Sequence, residues 1–203
     1  TDLAEDMLSI AAENAAKKKI KNAETEICDV CELPFDDNSF DAISCRFGFM
    51  FFPDLLLATS EMARVLKPGG RIAVSVWGVE QKNFWVTAIG GTINQNMQLT
   101  PPPPGAPGMF RCAKSGMIQK LFEEVGLKNT SEKEVTSKLD LDSAEVYWEM
   151  MTDVAAPFVA ALSKADDEMK AKIKKEVFQK INERYGNANV SLEGSSLVIA
   201  GEK

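Results

Sequence analysis

The sequence predicts an α/β fold in which a mainly parallel sheet carries helices on both faces. A helical pattern that follows Pro53 stops at KPGG, and the buried strand Arg71–Trp77 (RIAVSVW) comes directly after it, which indicates a helix–turn–strand crossover unit. A second apolar run, Ser196–Ala200, predicts a final core strand. In sheets of this kind, ligands bind at the carboxyl ends of the strands.

The first third of the chain alternates between helical and β-prone segments. Ala4–Lys21 has apolar residues at helical spacing and lysines in its last turns, which predicts a helix packed on one face. Thr25–Cys28 and Asp41–Phe47 are short predicted strands, separated by the turn-rich segment ELPFDDNS. The next helix is expected to begin at Asp54 and to be ended by Pro68.

The rest of the chain begins with a proline-rich connector. Thr100–Gly108 (TPPPPGAPG) is interpreted as an extended, rigid spacer. Ser115 is predicted to cap a helix that Gly126 ends, and Lys128–Leu139 has the mixed polarity of an edge strand. Ser143–Tyr185 is helical in pattern throughout. The predicted organisation is a core at 1–142 with the Pro-rich connector at 100–108, a helical lid insertion at 143–187 and a final core strand at 188–203.

Composition argues against several classes of function. The 203 residues contain 23 Lys and Arg against 30 Asp and Glu, a net charge of −7, so a nucleic-acid-binding face is not expected. No stretch approaches the roughly 18 apolar residues of a membrane span, and no signal peptide is evident, which favours a cytoplasmic protein. With no histidine and four cysteines, neither a metal site nor a Ser/His or Cys/His mechanism is predicted.

Two aspartates stand where strands are predicted to end. Asp2 precedes the first helix and Asp29 follows TEIC, so both fall on the ligand-binding edge of the sheet. One carboxylate there can accept hydrogen bonds from both hydroxyls of a ribose. The other can accept a hydrogen bond from an adenine amino group, while a backbone N–H donates to the adenine ring. Either aspartate alone more often satisfies turn or helix N-terminal donors. The pair together would hold an adenosine.

The order of four segments resembles the class I methyltransferases that use S-adenosylmethionine. These segments are DLAEDMLSIA, CDVCELPFDDNSFDAI, SCRFGFMFFPD and EMARVLKPGGRIAVSVW. The stretches around LPFDDNSFD and RVLKPGGRIAVSVW are similar to the ubiquinone and menaquinone biosynthesis C-methyltransferases, and the resemblance covers most of the chain. It implies a Rossmann-like methyltransferase sheet with a helical lid before the last strand, S-adenosylmethionine as cofactor, and methyl transfer to a small-molecule acceptor.

The resemblance also implies roles for individual residues at the adenosine end of the cofactor. Asp2 matches the acid that binds the ribose hydroxyls, and Leu3 matches the apolar residue that packs against adenine. Asp29 matches the acid that faces the adenine amino group, and Val30 offers its backbone N–H.

Further along the cofactor, the resemblance places Cys45 and Arg46 near the methionine part. The residues that would line the acceptor side are Phe47, Phe51, Trp77, Trp85, Tyr147 and Trp148. Aromatic residues beside core elements more often serve packing, and Tyr147 and Trp148 fit the core of the lid equally well. No catalytic residue is assigned, because a sulfonium already activates its methyl group and the protein mainly has to hold donor and acceptor in line and exclude water.

Methyltransferases of this family also have a strand, a G-x-G-x-G loop, a helix and a second strand before the position of Asp2, which these 203 residues lack. Without two charge-assisted contacts of about 1.5 to 3 kcal/mol each, cofactor binding is expected to be roughly a hundredfold to ten-thousandfold weaker. We expect an upstream segment before Thr1. The alternative is a natural short form that completes its sheet through another chain. The oligomeric state stays open, with a homodimer as one candidate.

Three functions remain to be distinguished. The first is a small-molecule methyltransferase, and the second is a non-catalytic methyltransferase-like binding module that has dropped the cofactor and acts through a partner. The retained Asp2, Asp29 and Val30 favour the first over the second. The remote third is a nicotinamide-dependent oxidoreductase, which shares α/β sheets and ribose-binding acids but not the LPFDDNSFD and LKPGG segments. The sequence does not identify the acceptor or whether C-, N-, O- or S-methylation occurs.

Overall fold

The structure of the protein is a computed structural model that describes residues 1–186 and 189–203. The helices are α1 (Glu5–Lys17), α2 (Leu55–Val65), α3 (Phe84–Met97), α4 (Met117–Glu124), α5 (Ala144–Val154), α6 (Ala156–Leu162) and α7 (Asp167–Tyr185). The strands are β1 (Phe40–Arg46), β2 (Leu66–Trp77), β3 (Lys128–Leu141) and β4 (Val190–Glu202). Within the described ranges, no helix combines the length and the apolar character needed to cross a lipid bilayer.

The four strands form one sheet in the order β1-β2-β4-β3. The amide of Asn38 donates to the carbonyl of Arg64 at 3.1 Å. The next amide, that of Ser39, donates to the next carbonyl, that of Val65, at 2.8 Å. Because successive residues leading into the two strands pair in the same order, β1 runs parallel to β2. The predicted α/β architecture, a sheet flanked by helices, is confirmed.

The segment KPGG lies inside β2, so the predicted tight Gly-Gly turn was wrong. Gly69 donates its amide to the carbonyl of Lys203 at 2.7 Å, and Lys203 donates its amide to the carbonyl of Gly70 at 3.0 Å. At the other end, the amide of Gly78 donates to the carbonyl of Ser195 at 2.8 Å, so β4 runs antiparallel to β2. Helix α2 passes directly into β2 at Leu66, which is already extended (φ −77°, ψ 135°), and Gly69 within the strand has a φ of +78°, which glycine adopts without strain.

The strand predicted at Thr25–Cys28 was also wrong, because only one parallel bridge forms there, between Asp2 and Ile27. The amide of Asp2 donates to the carbonyl of Glu26 at 3.4 Å, and the amide of Cys28 donates to the carbonyl of Asp2 at 3.2 Å. The bridge nevertheless sets Asp2 beside the loop that begins at Cys28.

Several helix boundaries differ from the sequence-based expectation. The first helix ends at Lys17 because Lys19 adopts a positive φ of 57°, which breaks the helical path. Gly116, with a φ of +75°, takes the N-cap position of α4 that was predicted for Ser115. Helix α3 was not predicted, because its two central glycines and β-branched residues weaken the helical signal. The helical pattern of 143–185 is confirmed and divides into α5, α6 and α7.

The chain divides into two compact units. The first unit contains residues 1–74, 116–132 and 199–203, and the second contains residues 75–115 and 133–198. The boundary predicted between the lid and the final strand, at residues 187 and 188, lies outside the described residues.

The core of the second unit is formed mainly by α3, α5, α6 and α7. Its most deeply buried side chains include Ile89, Tyr147 and Ile173. A Cβ atom at Gly90 would lie 3.1 Å from the ring of Phe158, so this glycine allows α3 to approach α6 closely.

Asn83 is a fully buried polar residue at the start of α3. Its Nδ2 donates to the carbonyls of Gly78, Val79 and Ser195 at 3.2, 3.1 and 3.0 Å. Its Oδ1 accepts from the amide of Ser195 and from Nε1 of Trp85, both at 3.1 Å. One side chain therefore satisfies several buried groups at once, in the second unit.

Replacing this side chain should destabilise the second unit. We expect Asn83→Ala to lower the free energy of unfolding by about 2 to 4 kcal/mol, because several buried donors and acceptors lose their partner. Urea unfolding followed by tryptophan fluorescence reports on this unit, since Trp77, Trp85 and Trp148 all belong to it. The control Asn14→Ala, at an exposed position of α1, should change stability by less than about 0.5 kcal/mol. Equal stability of the Asn83→Ala and Asn14→Ala variants would contradict the stabilising role of the Asn83 hydrogen bonds.

Candidate functional site

A pocket of about 590 Å³ lies in the first unit, at the carboxyl end of β1. Its walls come from the N-terminal residues, the loop that follows Ile27, the turn after β1 and one side of α2. The residues predicted to bind the cofactor all line it, namely Asp2, Leu3, Asp29, Val30, Cys45 and Arg46. Of the residues predicted to contact the acceptor, Phe47 and Phe51 line it as well.

Asp2 is oriented by the start of α1. Its Oδ1 accepts a hydrogen bond from the amide of Ala4 at 2.9 Å, and α1 begins one residue later, at Glu5. This is the local turn role that a single aspartate often has. It also holds the carboxylate at the pocket, next to Leu3, whose side chain is 68% exposed and offers an apolar surface.

Asp29 is held in the same way on the neighbouring loop. Its Oδ1 accepts from the amide of Cys31 at 2.8 Å, and its carbonyl accepts from the amide of Glu32 at 3.0 Å. Burial raises the pKa of the Cys31 thiol, and the nearby charge of Asp29 adds to this effect. Asp29 and Val30 are half-buried, so the turn presents a carboxylate and a backbone segment to the pocket.

A sharp turn follows β1. Phe47 has a positive φ of 56°, which is uncommon for a residue with a side chain. The chain then enters a short 3-10 helix in which Phe49 and Met50 are buried, while Phe51 is 48% exposed and faces the pocket. The buried pair anchors the turn, and the exposed ring is available to a ligand.

Cys45 and Arg46, the last residues of β1, differ in environment. Burial raises the pKa of the Cys45 thiol, while backbone hydrogen bonds from Gly48 and Phe49 act in the opposite direction. Arg46 is exposed, and no carboxylate in the described part of the chain lies within ion-pair distance of it. The pocket therefore presents a protonated thiol and a guanidinium without an internal counter-charge.

The other predicted acceptor residues belong to the second unit and pack within it. Trp77 and Trp85 form an edge-to-face pair with ring centroids 4.9 Å apart. Tyr147 is fully buried and donates its hydroxyl to the carbonyl of Trp85 at 2.7 Å. Trp148 packs against the same core, with Nζ of Lys174 6.0 Å from its ring centroid. Their contact with an acceptor stays a prediction.

Sequence reasoning missed part of the pocket lining. The lining residues that it did not single out include Leu33, Gly48, Phe52 and Met62. Met62 lies on the buried face of α2, and its helical spacing does not distinguish a pocket-lining residue from a core residue. Within the described residues, no three His, Cys, Asp or Glu side chains come together as a candidate metal site.

The pocket lies within a segment that matches a known family. Residues 1–74 match the family model described as a methyltransferase domain. This range contains every residue that lines the pocket. Together with the Rossmann-like sheet, this match confirms the resemblance to class I methyltransferases.

Individual proteins are similar to this chain in part of its sequence or in its fold. A demethylmenaquinone methyltransferase of Staphylococcus aureus is 45% identical over 71 residues, which are 35% of this chain and 29% of that protein. The YcgJ protein of Bacillus subtilis has a similar structure, with a TM-score of 0.59 and 21% identity over 99% of this chain and 80% of that one. The [4+2]-cyclase SpnF has a TM-score of 0.51 and 18% identity over 98% of this chain and 64% of that one. At such identities the solved structures establish a shared fold and not a shared reaction.

The turn after β1 leaves little room for a side chain at Gly48. A Cβ atom there would lie 3.1 Å from Sγ of Cys45, although the backbone (φ −103°, ψ −36°) is open to alanine. We expect Gly48→Ala to cost about 1 to 2 kcal/mol of stability and Cys45→Ala to relieve most of that cost in the double variant. Thermal unfolding by circular dichroism measures both.

The matched control is Gly91→Ala in α3, where no atom lies within 4 Å of the added Cβ. That substitution should stabilise the protein by about 0.5 to 1 kcal/mol, because alanine is the better helix former. If Gly48→Ala is as costly without the Cys45 thiol as with it, the contact between the two residues is not the cause.

Proposed function

We propose that this protein binds S-adenosylmethionine in the pocket of the first unit and transfers its methyl group to a small-molecule acceptor. The observation that carries the proposal is the pocket itself. It assembles all the residues implied for the cofactor within the segment that matches the methyltransferase domain. Its volume of about 590 Å³ falls in the usual range for small-molecule sites.

The adenosine part would lie between the two oriented aspartates. Asp2 would accept hydrogen bonds from the ribose hydroxyls. The hydrogen bond from the amide of Ala4 to Oδ1 of Asp2 holds the carboxylate in position for this role. Asp29 would accept from the adenine amino group, with the backbone N–H of Val30 beside it. Leu3 would cover one face of the ring.

The methionine part would extend toward the end of β1. There the guanidinium of Arg46 suits the amino-acid carboxylate, since an unpaired arginine favours a bidentate carboxylate partner. The raised pKa of Cys45 keeps its sulfur as a thiol. Because the thiolate is the nucleophilic form, this residue would not compete with the acceptor for the activated methyl group.

The cofactor, when bound, supplies an already activated methyl group. The protein then has to exclude water and hold the acceptor in line, and the half-buried ring of Phe47 and the exposed ring of Phe51, which both line the pocket, would do this. A chain without histidine suits an acceptor that needs little help from a base. The similarity to the demethylmenaquinone methyltransferase is confined to 71 residues, so the proposal extends to a small-molecule acceptor and not to a named quinone.

Calorimetric titration of S-adenosylhomocysteine, up to millimolar concentration, tests the cofactor site. We expect binding by the wild-type protein and roughly tenfold weaker binding by Asp2→Asn and by Asp29→Asn. Asparagine keeps the oxygen that completes each local turn and loses only the charge. The control Asp36→Asn alters an exposed aspartate that does not line the pocket, and its affinity should be unchanged.

The outcomes separate the candidate functions. Absence of binding by the wild-type protein would overturn the proposal and favour the non-catalytic binding module. Binding that Asp2→Asn and Asp29→Asn leave unchanged would mean that the cofactor lies elsewhere. Nicotinamide-dependent oxidoreductases with this type of fold have mostly parallel sheets. The antiparallel direction of β4 therefore does not favour the oxidoreductase alternative.

A further inference from the structure

One ion pair on α2 holds both backbone groups of Leu33, which lines the pocket. Oε2 of Glu61 accepts from the amide of Leu33 at 3.0 Å, and Nη2 of Arg64 donates to its carbonyl at 3.0 Å. Arg64 and Glu61 are joined to each other by two hydrogen bonds, from Nε to Oε1 at 2.7 Å and from Nη2 to Oε2 at 2.8 Å. The residue is therefore fixed from both sides.

The same guanidinium also holds the next turn of the loop. Nη1 of Arg64 donates to the carbonyl of Phe35 at 2.8 Å and to Oδ1 of Asp37 at 2.7 Å. All five N–H donors of the arginine are engaged. The side chains of Arg64 and Glu61 are 31% and 19% exposed, so the pair is sheltered from solvent compared with an ordinary surface ion pair.

Helix α2 is a firm base for this arrangement. Its N-terminus is capped by Asp54, whose Oδ1 accepts from the amide of Leu57 at 2.9 Å. On its inner face Ala58 and Met62 are buried in the first unit. The loop is thereby tied to an element whose own position is set by packing.

The hydrogen bonds from Glu61 and Arg64 to Leu33 restrain the segment that is implied to bind adenine. Leu33 follows Asp29 by four residues, and the turn that Asp29 forms with Cys31 and Glu32 lies between them. Because Leu33 is held at its amide and its carbonyl, this short turn has little freedom to move away from the pocket.

We propose that Arg64 and Glu61 are positioning residues that hold Asp29 and Val30 in the geometry needed to bind the adenine end of the cofactor. This inference rests on the proposed function. The geometry requires arginine in particular, because only a planar fork reaches Glu61 and the loop carbonyls together. A lysine at this position keeps the charge but supplies a single point of contact.

Titration with S-adenosylhomocysteine tests this role. We expect Arg64→Ala and Arg64→Lys each to weaken binding about tenfold, equivalent to about 1.4 kcal/mol. Glu61→Gln keeps the size of the side chain and one oxygen that can accept from the amide of Leu33, so it should weaken binding less. The control Lys67→Gln removes an exposed ion pair to Asp41 in the same unit and should leave affinity unchanged.

A double-variant comparison separates positioning from general destabilisation. If Arg64 acts through Asp29, the loss in Asp29→Asn with Arg64→Lys should be smaller than the sum of the single losses. The loss in Asp2→Asn with Arg64→Lys should equal the sum, because Asp2 is held by Ala4 and not by the loop. Hydrogen exchange of the Leu33 amide should accelerate in Arg64→Lys.

The outcomes differ from those that bear on the proposed function. Failure of the wild-type protein to bind overturns the proposed function and the inference with it. Normal binding by both Arg64 variants, or additive losses with Asp29→Asn, overturns the inference alone. Circular dichroism of each variant establishes that a loss of binding occurs in a folded protein.

Discussion

The parallel bridge between Asp2 and Ile27 is the interaction on which the candidate site depends. Two backbone hydrogen bonds, at 3.4 and 3.2 Å, bring Asp2, which lies three residues before the start of α1, alongside Ile27, which precedes the Cys28 loop. Asp2 and Asp29, the second residue after Ile27, then line one pocket together with the end of β1. Ile27 remains 51% exposed, so these two hydrogen bonds receive little help from packing.

The pocket combines rigid supports with few reactive groups. Asp2, Asp29 and Leu33 are each fixed by hydrogen bonds within the first unit, and the turn after β1 is anchored by buried Phe49 and Met50. No histidine is present, and burial keeps Cys45 in its thiol form. Such a site suits a reaction in which orientation and exclusion of water matter more than proton transfer.

The sequence allowed much of the site to be predicted, because its key residues follow recognisable local patterns. Asp2 and Asp29 follow short segments predicted to be extended, for which the sheet rule predicts a common edge, whereas Cys45 and Arg46 were implied by the family resemblance; all four line the pocket. The hydrogen bonds from Arg64 to Leu33 and Phe35 were not predicted. They join residues that are 31 and 29 positions apart, and no local pattern signals them.

The errors in the predicted fold have a similar cause. KPGG has the composition of a turn, but pairing with the C-terminal Lys203 keeps it extended, so a tertiary contact outweighed local propensity. Helix α3 contains two adjacent glycines, yet its face of Val86, Ile89 and Ile93 is buried in the second unit. In both cases, contacts with residues distant in sequence, backbone pairing for KPGG and packing for α3, determined a structure that residue preferences alone did not indicate.

The most direct test of a cofactor pocket built from these residues is a map of amide chemical shifts during titration with S-adenosylhomocysteine. We expect the largest changes at Leu3, Val30 and Gly48, which lie in three separate segments of the pocket wall. Changes concentrated instead in residues 133–186 of the second unit, or no change at millimolar ligand, would contradict it.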